Sequence, residues 1–298
     1  MRVLVTGGAG FFGSHVVDAL RARRDDVVAL DDLSTGDRAN LDPTVRLVIA
    51  DISDRETLRD RLAGERFDAV VHAAAKTKVV ESMAKPELYR RVIVDGTANA
   101  LDFAVRSGAT SFVNVSTGGA MYGETPTCAT EESPVDTPSN YGRYKAEAER
   151  LVASAPALRA VSLRFANIYG PRQRTDLEGG VIAIFVGRWK RGEPLTIYGD
   201  GSAQRDYLYV ADAVAAILGA ADRPVTGLYN VGTGVATAVN DLVVGLTALL
   251  GPPNEVIRAA DREGEIQRSC LDSSKAERDG LWRSSVPLAD GLRRTVTA

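Results

Sequence analysis

Cysteine and histidine are each represented only twice in the 298 residues. Cys128 and Cys270 are far apart along the chain. Isolated thiols of this kind fit a reducing cytoplasm, with neither a disulfide framework nor a thiolate metal site. His15 and His72 are the only imidazoles, which argues against a histidine-based nucleophilic triad or a histidine-rich zinc site, so no metal is expected. Charge of one sign is also scarce. A net charge of −3 offers no basic field for nucleic acid. No apolar run approaches the roughly 20 residues needed to cross a bilayer. Internal repeats and low-complexity segments are absent. What remains is a chain 45% hydrophobic and 25% charged, globular and long enough for one large or two modest cores.

The chain opens with a short apolar run at residues 2–6 that enters Gly7-Gly-Ala-Gly-Phe-Phe-Gly13, and residues 14–23 then read as a helix. Because the first strand runs into its own glycine motif, the amino terminus is expected to belong to the fold and not to a removable leader. Strand, glycine turn and helix together form the setting of a dinucleotide site. Gly7 permits the turn, Gly10 lets backbone approach a pyrophosphate, Gly13 allows close helix–strand packing, and the helix start presents free N–H groups. Phe11 and Phe12 fall in the same turn. The next apolar run, 27–30, ends at Asp31-Asp32. A carboxylate there accepts from the adenosine ribose and repels a 2′-phosphate, so Asp31 favours NAD over NADP.

The alternation continues. A strand at 45–49 leads into Asp51-Ile52, an expected adenine contact. Another at 67–72 opens into Ala73-Ala-Ala75, small enough for a flat cofactor to lie against backbone. Helices fit at 54–62 and 86–107. A fifth strand, 111–116, is followed by Thr117-Gly-Gly-Ala-Met-Tyr-Gly123, and a sixth covers 160–165. Such alternation implies a doubly wound α/β parallel sheet covered on both faces.

In Ser139-Asn-Tyr-Gly-Arg-Tyr-Lys145, Tyr141 and Lys145 are four residues apart, hence on one helix face. A phenol titrates near pH ~10, too high for proton exchange with an alcohol at neutral pH. An ammonium ~4 Å away at an effective dielectric of ~20 favours phenolate by about 4 kcal/mol. That corresponds to roughly three units of pKa, enough for general acid–base work. Ser116 or Thr117, at the carboxyl end of its strand, lies where open α/β sheets bind ligands and offers a hydroxyl beside Tyr141.

Together these features resemble the extended short-chain dehydrogenase/reductase family, in its NAD-dependent nucleotide-sugar epimerase/dehydratase branch and most closely its bacterial UDP-hexose 4-epimerases. The resemblance covers nearly the whole chain. Besides the stretches above it rests on Leu163-Arg-Phe-Ala-Asn-Ile-Tyr-Gly-Pro171, Ile197-Tyr-Gly-Asp-Gly201, Gln204-Arg-Asp-Tyr207, Asn230-Val-Gly-Thr-Gly234 and Asp272-Ser-Ser-Lys-Ala276. It implies a Rossmann-like domain of residues 1–165, joined by about 206–232, with a smaller substrate domain from 166–205 and 233–298. It implies NAD as cofactor, held by the glycine turn, Asp31, Asp51, Ile52, Ala73, Ala74, Ala75, Tyr141 and Lys145. It also implies a nucleotide-diphosphate hexose, of UDP-glucose type, as substrate, and a homodimer formed through the 86–107 helix and the Tyr141 helix.

The resemblance assigns Tyr141 as acid and base, Lys145 as its partner and holder of the nicotinamide ribose, and Thr117, in preference to Ser116, as the group that orients the sugar 4-oxygen. Asn167, Gly180 and Val181 would face the diphosphate, with Arg205 and Arg262 gripping it by their forked guanidinium groups. Tyr198 would pack the nucleobase. Lys76, Lys78 and Glu81 follow the alanine run where substrate contacts are usual, and Lys78 is taken as a contact. Ser269 leaves room beside the sugar 2-substituent, so N-acetylated and uronic hexoses enter the expected range. Two positions depart from the family: Ile93 replaces an Asn behind the nicotinamide, and Tyr144 replaces a small residue between the reactive pair. The main alternative is a nucleotide-sugar 4-ketoreductase or dehydrogenase. A 4,6-dehydratase would carry Asp-Glu where Gly118 and Gly119 stand, and a non-catalytic nucleotide-binding regulator would be expected to have lost part of this set.

Overall fold

The structure is a computed structural model that describes residues 1–175, 180–261 and 264–298. Its first half runs β1 (Arg2–Thr6), α1 (Phe11–Ala22), β2 (Asp26–Asp31), β3 (Arg46–Ile49), α2 (Arg55–Arg61) and β4 (Ala69–His72). It continues through α3 (Val79–Ala84), α4 (Pro86–Arg90), α5 (Gly96–Ser107), β5 (Ser111–Thr117), α6 (Asn140–Ala153) and β6 (Arg159–Phe165). The second half adds β7 (Asn167–Tyr169), α7 (Val181–Arg191), β8 (Leu195–Tyr198), β9 (Gln204–Tyr209), α8 (Val210–Asp222) and β10 (Gly227–Val231). It closes with β11 (Ala236–Ala238), α9 (Val239–Leu250), β12 (Val256–Ala259), β13 (Arg268–Ser269), α10 (Ser274–Arg278) and α11 (Leu288–Thr297).

Seven strands form one parallel sheet in the order β10-β6-β5-β4-β1-β2-β3. The order reverses beside β1, which makes the fold a Rossmann-like doubly wound sheet with its ligand crevice at that switch point. Successive side chains of a strand point to opposite faces. On β1, accordingly, Val3 and Val5 join a core with Val16, Val17 and Leu20 of α1, while Leu4 joins the opposite core with Phe103 of α5 and Val152 of α6. Both faces are buried, so the strands read as continuous apolar runs and not as alternating ones.

The segment from 206 to 232 divides between two sheets. β9 pairs with β7, β11 and β13 in a small mixed sheet, whereas β10 completes the large one alongside β6. The 86–107 helix is interrupted by a π-helical turn, Arg91–Asp95, a distortion that frequently accompanies functional sites. No described helix is long and apolar enough to cross a membrane.

The cysteine expectation is corrected by the structure. Cys128 and Cys270 are joined in a disulfide, with Cα atoms 4.5 Å apart despite a sequence separation of 142. The cause is tertiary. The stretch after β5 runs beside β13 and its extension, so that the Ala129 amide donates to the Cys270 carbonyl and the Asp272 amide to the Ala129 carbonyl, each at 2.8 Å. Spacing along the chain carries no information about such a pairing.

Candidate active site

The crevice over β1, β2, β4, β5 and β6 is a cleft of about 630 Å³ that extends from the glycine turn past Tyr141 to Asn167 and Gly180. Its first wall demands glycine. Gly7 sits at φ +67, and a Cβ there would lie 2.8 Å from the Ala74 amide nitrogen; at Gly13 a Cβ would collide with the Gly7 carbonyl. Helix α1 begins with no side-chain cap and no acid in its first turn, leaving its N–H groups for an anion. Phe11, Phe12 and Gly10 line the cleft there.

Asp31, at the end of β2, is buried and accepts from the Ala9 amide at 3.0 Å and the Leu33 amide at 2.9 Å. Burial raises its pKa, and these N–H groups oppose that. Ile52 and the three alanines Ala73, Ala74 and Ala75 form the flat remainder of this end. Asp51 departs from the expected adenine contact: it is not among the cleft residues, and its Oδ1 accepts from both the amide and the hydroxyl of Ser53. The local turn before α2 takes that carboxylate oxygen. Glycine turn, unblocked helix start, ribose-side acid and small-residue floor fit a dinucleotide.

At the other end, α6 begins at Asn140 because the Ser139 hydroxyl accepts from the Gly142 amide. The Tyr141 amide is further tied to the Ser82 hydroxyl of α3 at 3.1 Å. One turn on, the Lys145 ammonium donates to the Val115 carbonyl of β5 at 2.8 Å. Neighbouring residues at the end of β5 divide between two tasks. Thr117 is the side chain that favours the Tyr141 phenolate, and Ser116 donates to Glu149 Oε1 at 2.6 Å.

The electrostatics correct the expected balance of the pair. Burial pushes the Tyr141 phenol up to about 12, opposed by the Thr117 hydroxyl. Burial also pulls Lys145 down to about 8, opposed by Glu149. Desolvation of both groups outweighs the attraction anticipated from their spacing, and the lysine proton points to a backbone carbonyl. Behind them, His72 is held neutral, its pKa pulled to about 3 by burial and then by Lys145. Thr97 gives its hydroxyl proton to the Ile93 carbonyl. His72 Nε2 must therefore donate to Thr97, while Nδ1 accepts from Thr6. Ile93, at the place of the expected Asn, is buried in the π-helical turn against Tyr89, Tyr141 and Ala148, and Tyr144 packs on the same cluster.

The substrate-side positions fall into groups. Asn167 and Gly180 line the cleft beside Tyr141 and Lys145, and Val181 is the first residue of α7. Arg205 lies outside the cleft lining; it donates to the Gln204 carbonyl at 2.9 Å and pairs with Glu265 at 3.1 Å. Ser269 is buried on β13, in register with Arg205. Tyr198 ends β8 and is largely exposed. Lys78 precedes α3 outside the cleft, whereas Lys76 lies inside it and donates to Ser34 at 3.0 Å. Glu81 is engaged by Lys85 and the Tyr89 phenol. Arg262 lies outside the described residues.

Sequence reasoning missed the stretch after Pro171. Arg172, Gln173 and Arg174 line the cleft opposite the glycine turn, with Arg172 donating to Ser14 and pairing with Asp18 of α1. It also missed Glu149, for which a signal existed: Tyr141, Lys145 and Glu149 recur at intervals of four on one helix face.

Comparison with known proteins agrees with this geometry. The UDP-glucose 4-epimerase of Mycolicibacterium smegmatis is 37% identical over 306 residues, covering 99% of this chain and 97% of that protein. The structure of UDP-glucose 4-epimerase from Thermotoga maritima with UDP-glucose superposes with a TM-score of 0.95 at 37% identity, over 100% of this chain and 98% of the other. The Thermus thermophilus UDP-glucose 4-epimerase in complex with NAD gives 0.94 at 39% identity, over 100% of this chain and 98% of the other. The family model described as the NAD dependent epimerase/dehydratase family matches residues 3–232, and the chain belongs to that family.

Proposed function

We propose that this protein epimerises a nucleotide-diphosphate hexose at C4, of the UDP-glucose/UDP-galactose type, through a transient 4-keto sugar. The observation that carries the reading is the distribution of charge in the cleft. Among the described residues lining it, the acids are Asp31, Asp32 and Asp37, all beside the end of β2. Among the described residues, the sugar end around Thr117, Tyr141 and Lys145 has none. At Gly118 an added Cβ would lie 2.5 Å from the Leu271 side-chain tip, so any larger residue there requires Leu271 to shift. Elimination of water across C5 and C6 needs an acid at that end, which favours epimerisation over dehydration.

NAD, when bound, supplies the hydride acceptor and donor at C4. Tyr141, protonated in the ligand-free cleft, would act as phenolate once the positive charges of Lys145 and bound NAD⁺ offset its burial, taking the proton of the 4-hydroxyl and returning it to the 4-oxygen. Thr117 holds the phenol and the 4-oxygen in line. Lys145, anchored on β5, presents a positive charge that favours the phenolate. Asn167, Gly180 and the start of α7 hold the diphosphate, with Arg205 and Arg262 as further anion contacts. Ser269 keeps the wall near the 2-substituent small, so N-acetylated hexoses are included among the substrates.

The proposed division of labour is a cofactor domain of 1–165 with about 206–232, and a substrate domain of 166–205 and 233–298. A homodimer formed through the 86–107 helix, α4 to α5, and through α6 belongs to the same reading. A cytoplasmic location also belongs to it, because NAD is an intracellular metabolite.

The test is incubation with NAD⁺ and UDP-glucose, UDP-galactose and their N-acetyl and uronic counterparts, with products resolved by chromatography and NADH followed by absorbance. A new C4 epimer without lasting NADH is expected. Lasting NADH would replace the reading with net oxidation by a dehydrogenase, and no conversion of any of these sugars would remove it.

A further inference from the structure

Beneath the reactive pair lies a buried ion pair that the proposed reaction does not use. Glu149 on α6 and Arg164 on β6 are both under a tenth exposed. Arg164 Nη2 donates to Glu149 Oε2 at 2.7 Å and its Nε to Oε1 at 2.9 Å. Ser116 gives Oε1 a second donor at 2.6 Å. The remaining fork of Arg164 donates to the Tyr122 phenol at 2.7 Å, which passes its own proton to Asn230 on β10 at 2.8 Å. A carboxylate one helical turn beyond Lys145 is thus held by donors from β5 and β6.

Burying two charges costs several kcal/mol per ion, and apolar residues of the same volume often stabilise as well or better. Stability alone therefore does not account for the pair. The groups around Lys145 narrow what it does. On β4, His72 is neutral and offers no counter-charge. On α6, the Tyr141 phenol is protonated in this environment. On the π-helical turn, Ile93 is apolar. Arg90 pairs with both Asp95 and Glu147 on the outer surface, where side chains more than a third exposed are screened by water. Glu149 is the remaining anion.

We propose that Glu149 is a positioning residue for the acid–base centre: the fixed counter-charge that keeps Lys145 an ammonium, aimed by Arg164 and Ser116. Burial acts to strip the proton from Lys145, and Glu149 is the group that opposes it. The inference rests on the reading of Tyr141 and Lys145 as the reactive pair.

The test uses two readouts on the full chain, the NMR titration of the Lys145 ammonium and the alkaline limb of kcat/KM against pH. Glu149→Gln removes the counter-charge and leaves Arg164 in place, so both readouts should move to lower pH by about one unit. Arg164→Met leaves the carboxylate without its cation, and both should move to higher pH. A pair that only braces the fold would lower stability in each variant and move neither readout. If Glu149→Gln does not fold, the double variant E149Q/R164M removes both charges together and should still shift Lys145 to lower pH. An unmoved Lys145 in whichever of these folds overturns the proposal. Failure of the underlying reading is distinguishable, because it shows as a wild-type protein without turnover, whereas the NMR titration needs none.

Discussion

Lys145 donates to the Val115 carbonyl across 2.8 Å, which ties α6 to the strand that presents Thr117 two residues later. The ammonium, the phenol and the threonine hydroxyl are thereby held by one strand–helix junction and not by a loop. If that junction is the acid–base centre, Tyr141→Phe removes the ionisable oxygen and little else. Turnover should fall by about 100- to 10,000-fold with KM within a few-fold of wild type. A fall below about 100-fold in steady-state kinetics would show that Tyr141 is not the base.

The two hydroxyls at the end of β5 should respond differently. Thr117→Val deletes the hydroxyl that favours the Tyr141 phenolate while keeping shape, and turnover should drop about 10-fold or more. Ser116→Ala instead takes a donor from a buried carboxylate, so its main effect should be a loss of about 1–3 kcal/mol in unfolding free energy. Denaturant titration and kinetics of the two variants separate the roles. Equal kinetic losses would contradict the division seen here.

His72 should make the fold acid-sensitive. Its folded pKa is about 3 against an ordinary value of 6.5, so between those limits the unfolded chain binds more protons than the folded one. Stability from this group is complete above pH ~6.5 and is lost as pH falls toward 3, at up to about 1.4 kcal/mol per unit. His72→Gln should flatten that part of the stability profile measured by urea unfolding. An unchanged slope would mean that other groups govern acid unfolding.

The Cys128–Cys270 bridge closes a loop of 142 residues, for which loss of chain entropy on unfolding gives about 5 kcal/mol of stabilisation, with about 2–4 typical in practice. Reduction or Cys128→Ser should lower unfolding stability by that order. Activity should survive below the melting range, because backbone hydrogen bonds on either side of the bridge persist. Thermal melts with and without a dithiol reductant check this; coincident melts would show the bridge contributes nothing.

Much of this molecule could be read from local pattern. The glycine turn, the apolar runs that became β1 to β6, the acid after β2 and the i, i+4 pair on α6 are all consequences of backbone geometry with periods of 2 and 3.6, and local sequence carries such geometry directly. Strand ends moved by a residue or two, as with β4, which begins at Ala69 and not at 67. The second half was harder. There the strands are short and their partners distant, β9 meeting β7, β11 and β13 from three separate stretches.

The residue types, the strand–helix alternation and the placing of Tyr141 and Lys145 on one helix face were determined by sequence alone, because each depends on neighbours within one or two turns. Tertiary structure decided everything that depends on which distant groups share a volume: the bridge between Cys128 and Cys270, the turn of Asp51 toward Ser53, the engagement of Ser116 by Glu149, and the Glu149–Arg164 pair beneath Lys145. It also set the sign of the electrostatics. Spacing along a helix reports how near two charges can come. Only packing reports how much water they lose, and here that loss outweighs their attraction.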